Sequence, residues 1–162
     1  MIDGDDRYDR VEAHALRLLA GRDRTAVELR RHLTAADHPP DEVERVITRL
    51  RQAGYLDDGR LALAAILADV AAGRAAARID RRLLERGVEP ALIERAWDAA
   101  AADHAVDRAR LLAAALERRL VHVARPLDRR AIRRVYNAML RAGFDADEVA
   151  AALEPHLPGD AG

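Results

Sequence analysis

The chain has 162 residues, 50% hydrophobic and 34% charged, with 27 basic against 28 acidic side chains and a formal net charge of −1. That length suits one domain or a short array of small units, and a chain of roughly 150 residues buries about 70% of its unfolded surface without disulfides or metals. Zero Cys excludes a disulfide, no apolar run approaches the ~20 residues of a membrane span, and the acidic start, Met1 to Arg10, lacks the apolar core of a secretory signal, so a cytoplasmic protein is expected.

The missing residue types narrow the chemistry. The sequence contains no Ser, no Cys and no Lys; every basic side chain other than its six His is Arg. A Ser or Cys nucleophile, a phosphate loop ending in G-K-[ST] and a Lys Schiff base are all excluded. The six His (His14, His32, His38, His104, His122, His156) show no H-E-x-x-H spacing, and the Gly residues never form G-x-G-x-x-G. No active site can be assembled, so no enzyme, cofactor or metal is expected.

Ala, Leu and Arg dominate and β-branched and aromatic residues are scarce, a helix-forming composition. Val11, Ala15, Leu18 and Leu19 make a first apolar face, broken by Gly21. Thr25 with Glu28 three residues later has capping-box spacing, and Leu29 and Leu33 follow. Pro39-Pro40-Asp41 stops and restarts the chain before the stripe Val43, Val46, Ile47, Leu50, which ends at Gly54. Gly59 to Ala72 reads as an Ala-rich helix ended by Gly73. Ile79, Leu83 and Leu84 precede a stop at Gly87. Pro90 then suits the first turn of a helix carrying Leu92, Ile93, Ala96 and Trp97. Further helices are expected over 105–120, 128–142 and 147–153, with a linker at 121–126 and a frayed tail from 155.

These segments repeat. Leu29, Ile79 and Val135 are equivalent, as are Leu33, Leu83 and Met139 four residues on. Val43, Ile93 and Val149 follow ten residues later, then Ile47, Trp97 and Leu153. Asp37, Gly87 and Gly143 hold the breaker position, followed by His38, Val88 and Phe144. The pattern predicts an all-α fold of three tandem three-helix repeats (10–55, 56–102, 103–154) in an elongated, curved array, between an acidic disordered N-terminus (1–9) and a frayed tail (155–162). Such an array favours binding over catalysis, by fold-level analogy.

One stretch is specific enough to name a family. Gly54-Tyr55-Leu56-Asp57-Asp58-Gly59-Arg60-Leu61-Ala62 resembles the G-Y-L-D-D-x-R-F-A signature of RecX regulatory proteins. Arg24 through Glu28-Leu29 to Leu33 is similar to the family's R-S-x-x-E-L-x-x-x-L. Gly73 through Arg78-Ile79 and Leu83 to Arg86-Gly87-Val88 is similar to its G-x-x-x-x-R-I-x-x-x-L-x-x-K-G-I. Arg141-Ala142-Gly143-Phe144 is similar to its R-R-G-F. The resemblance covers about residues 10–153. It implies a partner, the RecA recombinase, bound chiefly as a filament on single-stranded DNA. It also implies a function: lying along the filament groove, suppressing ATP hydrolysis and strand exchange, and limiting recombination and the SOS response. The chain departs from the family at Leu61, where Phe is usual, in having Arg or nothing at Lys positions, and in its near-neutral charge. A monomer with at most weak single- or double-stranded DNA contact is expected.

Three groups of residues are candidates for that role. Gly54, Tyr55, Leu56, Asp57, Asp58 and Arg60 read first as a helix junction, with Tyr55 and Leu56 packed under the turn and Asp57 or Asp58 capping the next helix. The stretch from Arg125 to Arg141 is the strongest interaction candidate: Arg125, Arg129, Arg130, Arg133, Arg134 and Arg141 stand against a single acid, Asp128, with Tyr136 interleaved. Its alternative is a solvated helix face. Guanidinium forks there suit the carboxylates of an acidic protein surface or the phosphates of a nucleic acid. A second run, Arg74, Arg78, Arg81, Arg82 and Arg86, is interleaved with Asp80, Glu85 and Glu89; Arg74, Arg78, Arg81 and Arg82 can share a face, which becomes a groove-facing candidate through the resemblance. Trp97 reads as a core anchor. The other functional reading is a helical nucleic-acid-binding module acting directly on DNA, which the near-zero charge disfavours.

Overall fold

The computed structural model describes residues 4–123 and 127–157. Residues 1–3, 124–126 and 158–162, which include part of the acidic N-terminus, Arg125 of the basic stretch and most of the expected tail, lie outside the described residues. The described chain is all-α: α1 (Gly4–Gly21), α2 (Ala26–Ala35), α3 (Pro40–Gln52), α4 (Asp58–Ala71), α5 (Ala76–Glu85), α6 (Pro90–His104), α7 (Leu111–Val121), α8 (Arg129–Ala142) and α9 (Ala146–Leu153), with short 3₁₀ turns at Arg108–Arg110 and Glu154–His156.

Local chemistry accounts for most helix ends. Thr25 caps α2 in a complete capping box: its hydroxyl oxygen accepts from Glu28 N and its own N–H donates to the Glu28 carboxylate. Asp128 accepts from Ala131 N at the start of α8, and Asp145 accepts from Asp147 N and Glu148 N at the start of α9. Pro40 opens α3 and Pro90 opens α6 at positions where a missing N–H costs nothing. Five helices end alike. Asp37, Gly54, Gly73, Gly87 and Gly143 are left-handed (φ 58, 78, 71, 82 and 95), and the N–H of the next residue bonds back to the carbonyl of Leu33, Leu50, Asp69, Leu83 or Met139.

Two boundaries differ from the sequence reading. Residues 4–9 are helical rather than a disordered tail. Acids early in a helix complement its dipole, and Asp6 also pairs with Arg10 one turn on. The helix expected over 105–120 starts at Leu111. Ala105 takes φ 53, Val106 N bonds back to Ala100 O, and the Asp107 side chain accepts from Ala109 N, so a turn replaces a first helical turn.

The chain divides into two compact units, Met1–Ala64 with Arg82–Ala96, and Ala65–Arg81 with Trp97–Gly162. In the first, α1, α2 and α3 pack on one another around Val11, Leu29, Leu33, Val46 and Ile47. In the second, α8 packs on α7 and α9 around Leu116, Val135, Met139, Val149 and Leu153. All twelve equivalent apolar positions of the sequence pattern are buried, none more than 5% exposed. No buried side-chain polar atom lacks a partner among the described residues. No helix of the described chain is long and apolar enough to cross a membrane.

Candidate partner-binding surface

The junction motif divides into a fixed frame and one projecting side chain. Gly54 is left-handed (φ 78), and the N–H groups of Tyr55 and Leu56 both donate to Leu50 O, at 2.9 and 3.2 Å. Leu56 is buried in the first unit's core, 3% exposed. Tyr55 is 64% exposed, so it does not pack under the turn as the sequence reading placed it. The turn needs only one apolar plug, and the alternation of side-chain direction across Tyr55-Leu56 sends the ring outward. Asp57 accepts from Arg60 N at 2.9 Å and so sits at the start of its own helix, α4. Asp58 reaches elsewhere: 8% exposed, it accepts from Ala26 N at 2.9 Å in the first turn of α2, with the Arg51 guanidinium 3.5 Å away. Arg60 is exposed.

The arginines in and just before α5 are engaged within the chain. Arg74 pairs with Asp69 at 2.5 Å, a carboxylate only 6% exposed. Arg78 donates to the backbone carbonyl of Arg141, at the end of α8, where Ala75 N also donates to Ala142 O at 3.1 Å. Its stem lies against Gly143, so close that a Cβ there would come within 2.9 Å. Arg81 and Arg82 are exposed and each takes part in further interactions. Cations at a helix C-terminus satisfy its orphan carbonyls and complement its dipole, and Arg78 does this for α8 from another helix.

The α8 face is different. Ala131, Ile132, Val135, Met139 and Ala142 are its buried side. Arg129, Arg130, Arg133, Arg134 and Arg141 are all exposed. Arg130, Arg133 and Arg134 have no ion pair with another described residue. Arg129 does take part in an interaction. Tyr136 is half-buried and packs against the core cluster of the second unit. The sequence reading passed over Asn137, exposed on the same side, and Leu140, 36% exposed at its rim. The helical phase of α8 was enough to find both.

Trp97 is 4% exposed, donates from Nε1 to Asp80 at 2.7 Å, and carries the Arg108 guanidinium over its ring at 4.9 Å. Among the described residues no group of three or more His, Cys, Asp or Glu could hold a metal ion.

The family model of the first three-helix domain of RecX matches residues 13–50. Regulatory protein RecX of Halorhodospira halophila is 35% identical over 142 residues, covering 88% of this chain and 85% of its own. The chain belongs to the RecX family. Regulatory protein RecX of Trichlorobacter lovleyi is likewise 35% identical over 143 residues, 86% of this chain and 91% of its own. Among solved structures, RecX from Lactobacillus salivarius superposes with a TM-score of 0.66 at 20% identity, covering 94% of this chain and 97% of its own. The shared RecX fold is all-α, and the role shared with the named relatives is regulatory.

Proposed function

We propose that this RecX-family chain is a negative regulator of RecA recombinase, acting in the cytoplasm as a monomer of three tandem three-helix units (10–55, 56–102, 103–154). It binds the groove of the RecA filament on single-stranded DNA and suppresses ATP hydrolysis and strand exchange, so limiting recombination and the SOS response. The observation that supports a contact role is that Arg130, Arg133 and Arg134 on α8, opposite a buried apolar side, have no ion pair with another described residue. Arginines held in internal ion pairs have their charge compensated; these three keep forks that match carboxylate geometry. Membership of the family, whose named relatives are regulatory proteins, supports the recombinase as the partner in this reading.

The test is DNA-dependent ATP hydrolysis by the cognate recombinase. The chain is added to preformed filaments below one copy per protomer, with a parallel titration on bare single-stranded DNA. Hydrolysis falls while bare DNA stays essentially unbound at physiological salt. Unchanged hydrolysis contradicts the reading. Tight binding to bare DNA that weakens steeply with salt replaces it with a direct nucleic-acid module.

A further inference from the structure

The outward face of α8 has a pattern as well as a charge. With 3.6 residues per turn, Arg130, Arg133, Arg134, Asn137 and Arg141 fall within about 100° of one another, on the side away from Val135 and Met139. Leu140 lies next to Arg133 at the edge of this sector and is 36% exposed. The stripe runs about 16 Å from Arg130 to Arg141, with side chains one turn, two turns and three turns from Arg130. No acid lies on α8; Asp128 is its N-cap.

Resting on the proposed contact role of this face, we infer that it docks an acidic helix of a protein partner. That helix places carboxylates at matching one- and three-turn intervals and an apolar side chain against Leu140. Four observations separate this from a phosphate backbone. The face carries no fully exposed aromatic on which a base would stack, because Tyr136 is half-buried against the core cluster. Its middle position is Asn137, which offers an amide donor and acceptor rather than a charge. Its rim holds Leu140, an apolar contact with no use against phosphates but of the kind that anchors protein interfaces. The whole chain is near neutral, so it lacks the broad positive field that drives binding to a polyanion of any sequence. Arg78 is a positioning residue here: its bond to the Arg141 carbonyl and its stem over Gly143 hold the C-terminal end of α8, and with it the last arginine of the stripe.

The experiment uses the full chain and two fluorescent Ala-based helical peptides of one composition, with a deoxythymidine oligonucleotide of equal charge as competitor. One peptide has Glu at i, i+4 and i+11 with Leu at i+8; the other has the same residues scrambled. The matched peptide binds at least fivefold tighter than the scrambled one. Arg130→Glu with Arg134→Glu abolishes the difference, and Leu140→Ala reduces it about threefold. Arg78→Met, checked for native helicity, also narrows the difference by loosening the stripe's end. Equal binding of the two peptides, or displacement by the oligonucleotide at lower concentration than by the matched peptide, overturns the inference. Its failure is distinguishable from failure of the regulatory reading. If the α8 reversal still removes inhibition of filament hydrolysis while the peptides bind alike, the regulatory role stands and only the acidic-helix partner falls.

Discussion

Arg86 and Glu28 are joined by two parallel hydrogen bonds, Nε to Oε1 at 2.9 Å and Nη2 to Oε2 at 3.0 Å, across 58 residues of sequence. Glu28 Oε2 also accepts from Thr25 N, and the Thr25 hydroxyl donates to Arg86 O at 2.6 Å. The capping box of α2 and the end of α5 are therefore one network, placed within the first unit. The Arg86 hydrogen bonds hold the Glu28 carboxyl below the usual glutamate range, against burial, which pushes it up. A depressed folded-state value means that the unfolded chain binds the extra proton. The stabilisation is present above about pH 4.3 and is lost as pH falls through the lowered folded value. Glu28→Gln costs about 1 kcal/mol at neutral pH, allowing for partial exposure, and flattens the decline of stability below pH 4.3. Urea denaturation at pH 7 and across pH 3–5 measures both.

Gly87 sits where the end of α5 meets α2. Its φ is 82, and a Cβ there would lie 2.6 Å from the Val27 Cβ. Gly87→Ala combines a left-handed Ala with an overpacked contact and destabilises by about 2–4 kcal/mol. Val27→Ala alongside it recovers part of that loss, which a double-mutant cycle in urea detects. Additive effects would show that the close approach is not what fixes this glycine.

His14 on α1 and His38 in the turn before α3 share a ring hydrogen bond of 2.9 Å. Burial lowers the His14 value first, then the nearby His38, Arg17 and His32 charges. A histidine lowered in the folded state makes the unfolded chain the better proton acceptor. Stability is full above about pH 6.5 and declines as pH falls from there toward the lowered value. His14→Gln removes most of the slope between pH 6.5 and 5 in thermal unfolding. An unchanged slope would assign the titration to other histidines.

How much of this was legible in the sequence follows from what each feature depends on. The twelve equivalent apolar positions and the Asp37, Gly87 and Gly143 turns depend on local spacing, and all twelve positions are buried. The Thr25–Glu28 capping box is local too. What escaped depends on partners distant in sequence. Asp58 reaches Ala26 across 32 residues and Arg78 reaches Arg141 across 63, and no periodicity encodes either. Tyr55 escaped for another reason: a turn signature marks a backbone conformation without stating which of two adjacent apolar residues fills it.

Trp97 gives the second unit a reporter. The Arg108 guanidinium lies over its ring and pairs with Asp80, which also accepts the indole N–H. Arg108→Ala uncovers the ring and red-shifts its emission, with a stability loss of about 1 kcal/mol from the stacked cation. Asp80→Asn, which keeps an acceptor for the indole, shifts emission less. An emission maximum unmoved by Arg108→Ala would show that the ring is covered by something else.

The central claim is that α8 carries the regulatory contact. The most direct measurement is ATP hydrolysis by recombinase filaments in the presence of the Arg130→Glu, Arg133→Glu, Arg134→Glu variant, with helicity and thermal unfolding recorded on the same sample. These side chains are exposed, so the fold is retained while inhibition drops at least tenfold relative to the unaltered chain. Full inhibition by a folded triple variant would contradict the account and move the contact elsewhere on the molecule.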